Sequence, residues 1–99
     1  MGRRELPLDM AAPGAQLALA LRELRRSRRL TYRRLSRITH YSPSVLSRAA
    51  SGRAVPSWEV VTAYVTGCLG TRAIDWTHWW LLWTNARVAA GGGAHGVVA

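Results

Sequence analysis

Side chains able to do chemistry are scattered in this chain, with one exception. The five acids, Glu5, Asp9, Glu23, Glu59 and Asp75, place no pair on one predicted helix face, so general acid–base work has no candidates. His40, His78 and His95 show no ligand spacing with the lone Cys68, and no metal or other cofactor is expected. No glycine-rich loop joins a strand to a helix as a phosphate cradle would. The exception is arginine. All 14 basic side chains are arginine, and ten of them lie between Arg22 and Arg53 with one acid, Glu23, among them. Segments 1–21 and 54–99 are each neutral, so the whole net charge of +9 belongs to the middle of the chain. Nucleotide bias explains arginine in place of lysine but not the clustering. A concentration of planar, permanently charged forks favours a polyanionic partner over an enzymatic role.

The elements that must position these arginines are helical. A flexible arm is expected over 1–13, rich in turn formers. Leu17, Ala20, Leu21 and Leu24 recur at helical spacing and predict a helix over 15–28, with Arg22, Arg25, Arg26 and Arg29 on its other side. Thr31 caps a second helix over 32–39, with Leu35 and Ile38 inward and Arg33, Arg34 and Arg37 outward. A third helix over 43–50 carries several start signals at once: Ser42 as cap, Pro43 at the first position, and a Tyr41/Leu46 staple. Gly52 ends it. Ser57 caps a fourth helix with the stripe Val61, Tyr64, Val65, Cys68 and Leu69, closed by Gly70. A fifth runs over 75–89, and residues 91–99 read as a flexible tail.

Ninety-nine residues suit one small all-α domain, placed over 14–90. One cysteine forms no internal disulfide and is compatible with a reducing cytoplasm, and Cys68 falls on a core stripe. The first twenty residues resemble a signal peptide only faintly, because Asp9, Pro13, Gly14 and Gln16 interrupt any apolar run. No stretch approaches the roughly 18 apolar residues of a membrane span, and no membrane role is expected.

Ordered along the chain are Leu21-Arg22-Glu23-Leu24-Arg25, Leu30-Thr31 leading to Leu35, Tyr41 through Arg48, Ala50-Ser51-Gly52-Arg53, and Pro56 through Val61. Over residues 21–70 this set resembles the Xre/Cro-type, lambda-repressor-like helix-turn-helix family, and more narrowly its small actinobacterial proteins. The resemblance implies a cytoplasmic, dimeric transcription regulator that binds double-stranded DNA. Its motif would be residues 31–52, with the third helix in the major groove and the second across the backbone. Base-reading positions then fall on Pro43, Ser44, Ser47 and Arg48, of which Arg48 can grip guanine O6 and N7 bidentately. Val45 either meets a thymine methyl or packs against the second helix. Phosphate contacts fall on Tyr32, Ser42 and Arg53, with Arg33 and Arg37 as additions. Two positions depart from the family pattern: His40 stands where the turn usually has glycine, and Arg29 replaces a frequent glycine after the first helix. Histidine tolerates the left-handed conformation better than most residues, at the cost of mild strain.

Trp76, Trp79, Trp80 and Trp83 share one face of the fifth helix, flanked by Leu81 and Leu82. Either they complete the core or part of that face is left for a second copy or a protein partner, with Trp79 or Trp83 as the anchor. In the second case the chain could instead be an interaction module, antitoxin-like or an assembly adaptor. A membrane-surface helix is disfavoured because the basic residues lie far upstream of the tryptophans.

Overall fold

The computed structural model of the protein describes residues 5–92, and among them are five helices and no strand. Helix α1 spans Ala15–Ser27, α2 Tyr32–Thr39, α3 Pro43–Ala49, α4 Trp58–Leu69 and α5 Trp76–Arg87. A wider, π-type turn over Val88–Gly92 continues α5, so Gly91 and Gly92 finish that turn, and the rest of the expected tail lies outside the described residues.

Side-chain caps fix where four of the helices begin. The oxygens of Thr31, Ser42, Ser57 and Asp75 each accept the backbone N–H three residues on, from Arg34, Val45, Val60 and His78. Each cap satisfies one of the donors a helix leaves unpaired at its start. Helix α1 has no side-chain cap. Gly14 precedes it and donates its N–H to the Gly52 carbonyl at 3.0 Å, which ties the exit of α3 to the entry of α1. Gly52 holds φ of 83°, a conformation that only glycine adopts without strain. His40 and Arg29 are left-handed as well, at φ of 68° and 55°.

The core is built where the helices cross. Leu17 and Leu21 of α1, Leu35 of α2, Leu46 of α3 and Val61, Tyr64 and Val65 of α4 are fully buried, and Trp79, Trp83 and Ala86 of α5 close it. Cys68 belongs to this core, and burial pushes its thiol up to about 11.

Three expectations are corrected. Ile38 is half exposed: Leu35 and Thr39, one turn apart, make the close approach to Gly67 of α4, and Ile38 touches that position only with its Cγ2 from the flank. Arg22 does not lie on an outer face: it is 5% exposed. Its Nε donates to the Ala50 carbonyl at 2.8 Å and its guanidinium to the Leu6 carbonyl, so α1 buries two faces, one under α4 and α5 and one under the chain before it. Consequently residues 5–13 are not a free arm. Glu5 is ion-paired to α1, Asp9 caps a turn by accepting from Ala11 at 3.0 Å, and Leu8 reaches Gly52.

Candidate nucleic-acid interface

Helix α3 owes its position to Leu46 and Ala49, which are buried, and to Tyr41, which packs half-buried at its entry. That anchoring turns Pro43, Ser44, Ser47 and Arg48 outward, and all four are exposed. They line one wall of an open groove whose other wall includes Glu5, Arg25, Arg26, Tyr32 and Arg33. The structure therefore brings the four expected base-reading residues together with two of the expected phosphate residues, Tyr32 and Arg33. Ser42, Arg37 and Arg53 lie outside the groove lining. The Ser42 hydroxyl is committed to capping α3 through Val45 N–H at 3.1 Å. Val45 is half-buried and lines a small apolar pocket with Ala49, Val55 and Val60.

The arginines separate into two classes. Among the described residues, Arg33, Arg34, Arg37, Arg48 and Arg53 are exposed and their guanidiniums make no hydrogen bond or ion pair with the protein. Those of α1 are engaged. Arg25 donates to the Leu30 carbonyl at 2.7 Å and to Glu5 at 2.8 Å, and stacks over the Tyr32 ring at 4.2 Å. Arg26 reaches the same carboxylate at 2.8 Å and Arg22 lies 3.4 Å from it. Just past α1, Arg28 donates to the Cys68 carbonyl at 3.1 Å.

Tyr32 also belongs to this cluster, because its hydroxyl donates to Glu5 rather than standing free for a phosphate. Tyr64 packs edge-on beneath it, ring centroids 6.3 Å apart. Burial raises the Tyr32 phenol, and the bond to Glu5 adds to the rise. For Glu5, burial acts to raise the carboxyl. The Tyr32 hydroxyl and the Arg25, Arg22 and Arg26 charges outweigh it and hold the group below the ordinary glutamate value. Arg22, Arg25 and Glu5 were missed in the sequence as a unit, because the carboxylate lies seventeen residues or more from its partners and off any helical spacing. No local signal marked Glu5, which lies in a segment neutral by itself and reaches the arginines only through the fold.

The helix-turn-helix domain family matches residues 16–73, which takes in α1 through α4 and the whole groove apart from Glu5 and Leu6. The chain belongs to the helix-turn-helix domain family. No curated protein and no solved structure matches it. In the helix-turn-helix arrangement seen here, α2 and α3 meet through the left-handed His40, with α3 as the second, outward-presented helix. Among the described residues no group of acids, histidines and cysteine could hold a metal ion, and no helix is long and apolar enough to cross a membrane.

Proposed function

We propose that the protein is a sequence-selective, double-stranded DNA-binding transcription regulator of the cytoplasm that reads the major groove with α3. The observation that carries the reading is the α3 face. Pro43, Ser44, Ser47 and Arg48, which is unengaged among the described residues, stand on one exposed surface within the segment that holds the whole net charge of the chain. Arg48 supplies the strongest base discrimination, and Ser44 and Ser47 supply weaker, adaptable contacts. Arg33, Arg37 and Arg53 neutralise phosphates and set the salt dependence. The family membership supports DNA as the partner and a binding module as the class of protein. Selection of bound sequences from a random duplex pool is the test. Enrichment of a defined site is expected, and recovery of the unselected pool would sink the reading.

The second reading, a protein contact through α5, has its own observation. Trp76, Trp80 and Leu81 are 37%, 46% and 54% exposed, and Trp76 and Trp80, one turn apart, form an apolar edge on a chain this small. A homodimer built on that edge gives two α3 helices for two half-sites; an antitoxin-like or adaptor role would use the same edge for a different protein. Sedimentation at graded concentration separates dimer from monomer.

A further inference from the structure

The protein's three ion pairs, among the described residues, converge on one carboxylate, Glu5, although four other acids are present. The place is unusual as well as the number. Glu5 and Leu6 lie in the groove that Ser44, Ser47 and Arg48 line from the opposite side. Glu5 is thus the one acidic side chain lining the groove, and it sits where a duplex read by α3 would pass.

The donors around Glu5 are those that recognise a phosphodiester. Two guanidinium nitrogens, Arg25 Nη2 and Arg26 Nη2, each donate to Oε1 at 2.8 Å, the Tyr32 hydroxyl donates to Oε2, and Arg22 Nε lies 3.4 Å from Oε2. A carboxylate and a phosphodiester present the same motif to such a set, two oxygens sharing one negative charge, and both accept charge-assisted bonds from arginine. Access differs across the cluster. The Arg26 side chain is 55% exposed and already in solvent, whereas those of Arg25 and Arg22 are 12% and 7% exposed beneath the segment that carries Glu5. Lifting that segment would uncover them.

We infer that Arg25, Arg26 and Tyr32, with Arg22 behind them, form a backbone-phosphate site that the protein's own Glu5 occupies in the free state, and that duplex DNA displaces Glu5 on binding. This inference rests on the reading of the groove as DNA-binding and adds a gate to it. The tethered carboxylate acts as an intramolecular competitor at high effective concentration. A single free phosphate does not dislodge it, whereas a duplex that also meets α3 and the unengaged arginines does. The displacement cost is the same for any duplex that takes the site, so the gate lowers the affinity for every sequence and leaves the base contacts of α3 to discriminate among them.

The test compares Glu5→Gln with Glu23→Gln, which removes the same charge from an exposed position on α1 with no ion pair among the described residues, against a random-sequence duplex at graded salt. Glu5→Gln is expected to bind at least about tenfold more tightly than Glu23→Gln at low salt, with a slope steeper by about one unit for each phosphate gained. A spin label at Leu6→Cys reads the displacement directly. Leu6 is exposed and the native Cys68 is buried with its thiol held protonated, so labelling is selective. The label is expected to gain mobility when duplex is added to the wild-type background, and to be mobile from the start with Glu5→Gln. Equal affinity and slope in the two variants, or a label that stays immobile on saturated protein, overturns the gate while leaving DNA binding intact. Loss of helical circular dichroism in Glu5→Gln would make Glu5 a structural ion and overturn it too. If wild type and both variants bind no duplex at all, the DNA reading falls and the gate with it.

Discussion

Arg48 and Arg53 are both exposed, unengaged arginines five residues apart, yet they face different tasks. Arg48 stands on the outer side of α3 beside Ser44 and Ser47; Arg53 follows Gly52, past the helix and off the groove. Arg48→Ala is expected to relax base preference at one operator position and cost about 1–3 kcal/mol, read by repeating the site selection with the variant. Arg53→Ala should weaken every sequence alike and reduce the salt slope by about one. An unchanged selected site in Arg48→Ala would remove α3 from the major groove. Glu5 carries a prediction about stability that is separate from DNA. Its folded-state carboxyl lies below the ordinary value, so the ionised form is favoured by folding. Stability from that preference is therefore present above the unfolded value, about 4.3, and is lost as pH falls through the folded one. In urea titrations wild type should exceed Glu5→Gln by a constant margin near neutrality, and the margin should shrink below about pH 4. A margin that grew on acidification would contradict the ion cluster.

At the scale of elements, the α2–α4 crossing sets how closely the motif is held to the core. It depends on Gly67, where an added Cβ would stand 2.8 Å from both Leu35 Cδ1 and Thr39 Cγ2. Neither neighbour yields easily: Leu35 is fully buried, and Thr39 is β-branched with its hydroxyl bonded to the Leu35 carbonyl at 2.9 Å. Alanine would gain roughly 1 kcal/mol of helix propensity at this position, but overpacking costs about 1–3 kcal/mol. Gly67→Ala should therefore destabilise the protein in thermal unfolding; a raised melting temperature would show that α2 can slide outward freely. The helices themselves were legible because their signals are local. A serine or threonine cap, Pro43 at a first position and the Val61–Cys68 stripe need only a few neighbouring residues to act, and they place α2, α3 and α4 within a residue of the expected bounds. Where tertiary packing decides a face, the sequence was less informative. Helix α1 has an apolar stripe and an arginine side, and nothing local says that residues 5–13 fold back to bury Arg22. The same limit applies to the groove: the exposed side of α3 follows from its spacing, whereas its opposite wall exists only once Glu5 meets Arg25 and Tyr32.

For the molecule as a whole, the open question is what the tryptophans of α5 do, and their placement divides them. Trp79 and Trp83, one turn apart with Ala86 beyond, form the stripe that closes the core, at 7% and 9% exposure. The Trp83 indole donates to the Pro56 carbonyl at 2.7 Å, which fastens α5 to the entry of α4. Trp76 and Trp80 stand on the flank and meet Trp58 edge to face, with ring centroids 5.9 and 5.0 Å away, and much of each side chain is left in solvent. The anchor of any contact with another chain therefore shifts from Trp79 or Trp83 to Trp76 and Trp80. Trp79→Ala and Trp83→Ala should each cost about 3–5 kcal/mol and bring partial loss of helical signal, because they open a cavity in a small core. Trp80→Ala loses aromatic contacts worth about 0.5–1.5 kcal/mol per pair and should keep its far-UV spectrum. If the α5 edge pairs two copies, Trp80→Ala should weaken self-association by about 2 kcal/mol or more, as a buried aromatic anchor does. The consequence reaches the DNA, since a monomer offers one α3 and one strong base-reading arginine, whereas a dimer offers two helices for successive major grooves about 34 Å apart. Sedimentation and site selection on Trp80→Ala then have a joint outcome: a monomeric variant should select single half-sites where wild type selects spaced pairs. A wild-type chain that stays monomeric at high concentration, with unspaced sites, would leave Trp76 and Trp80 without a role in pairing.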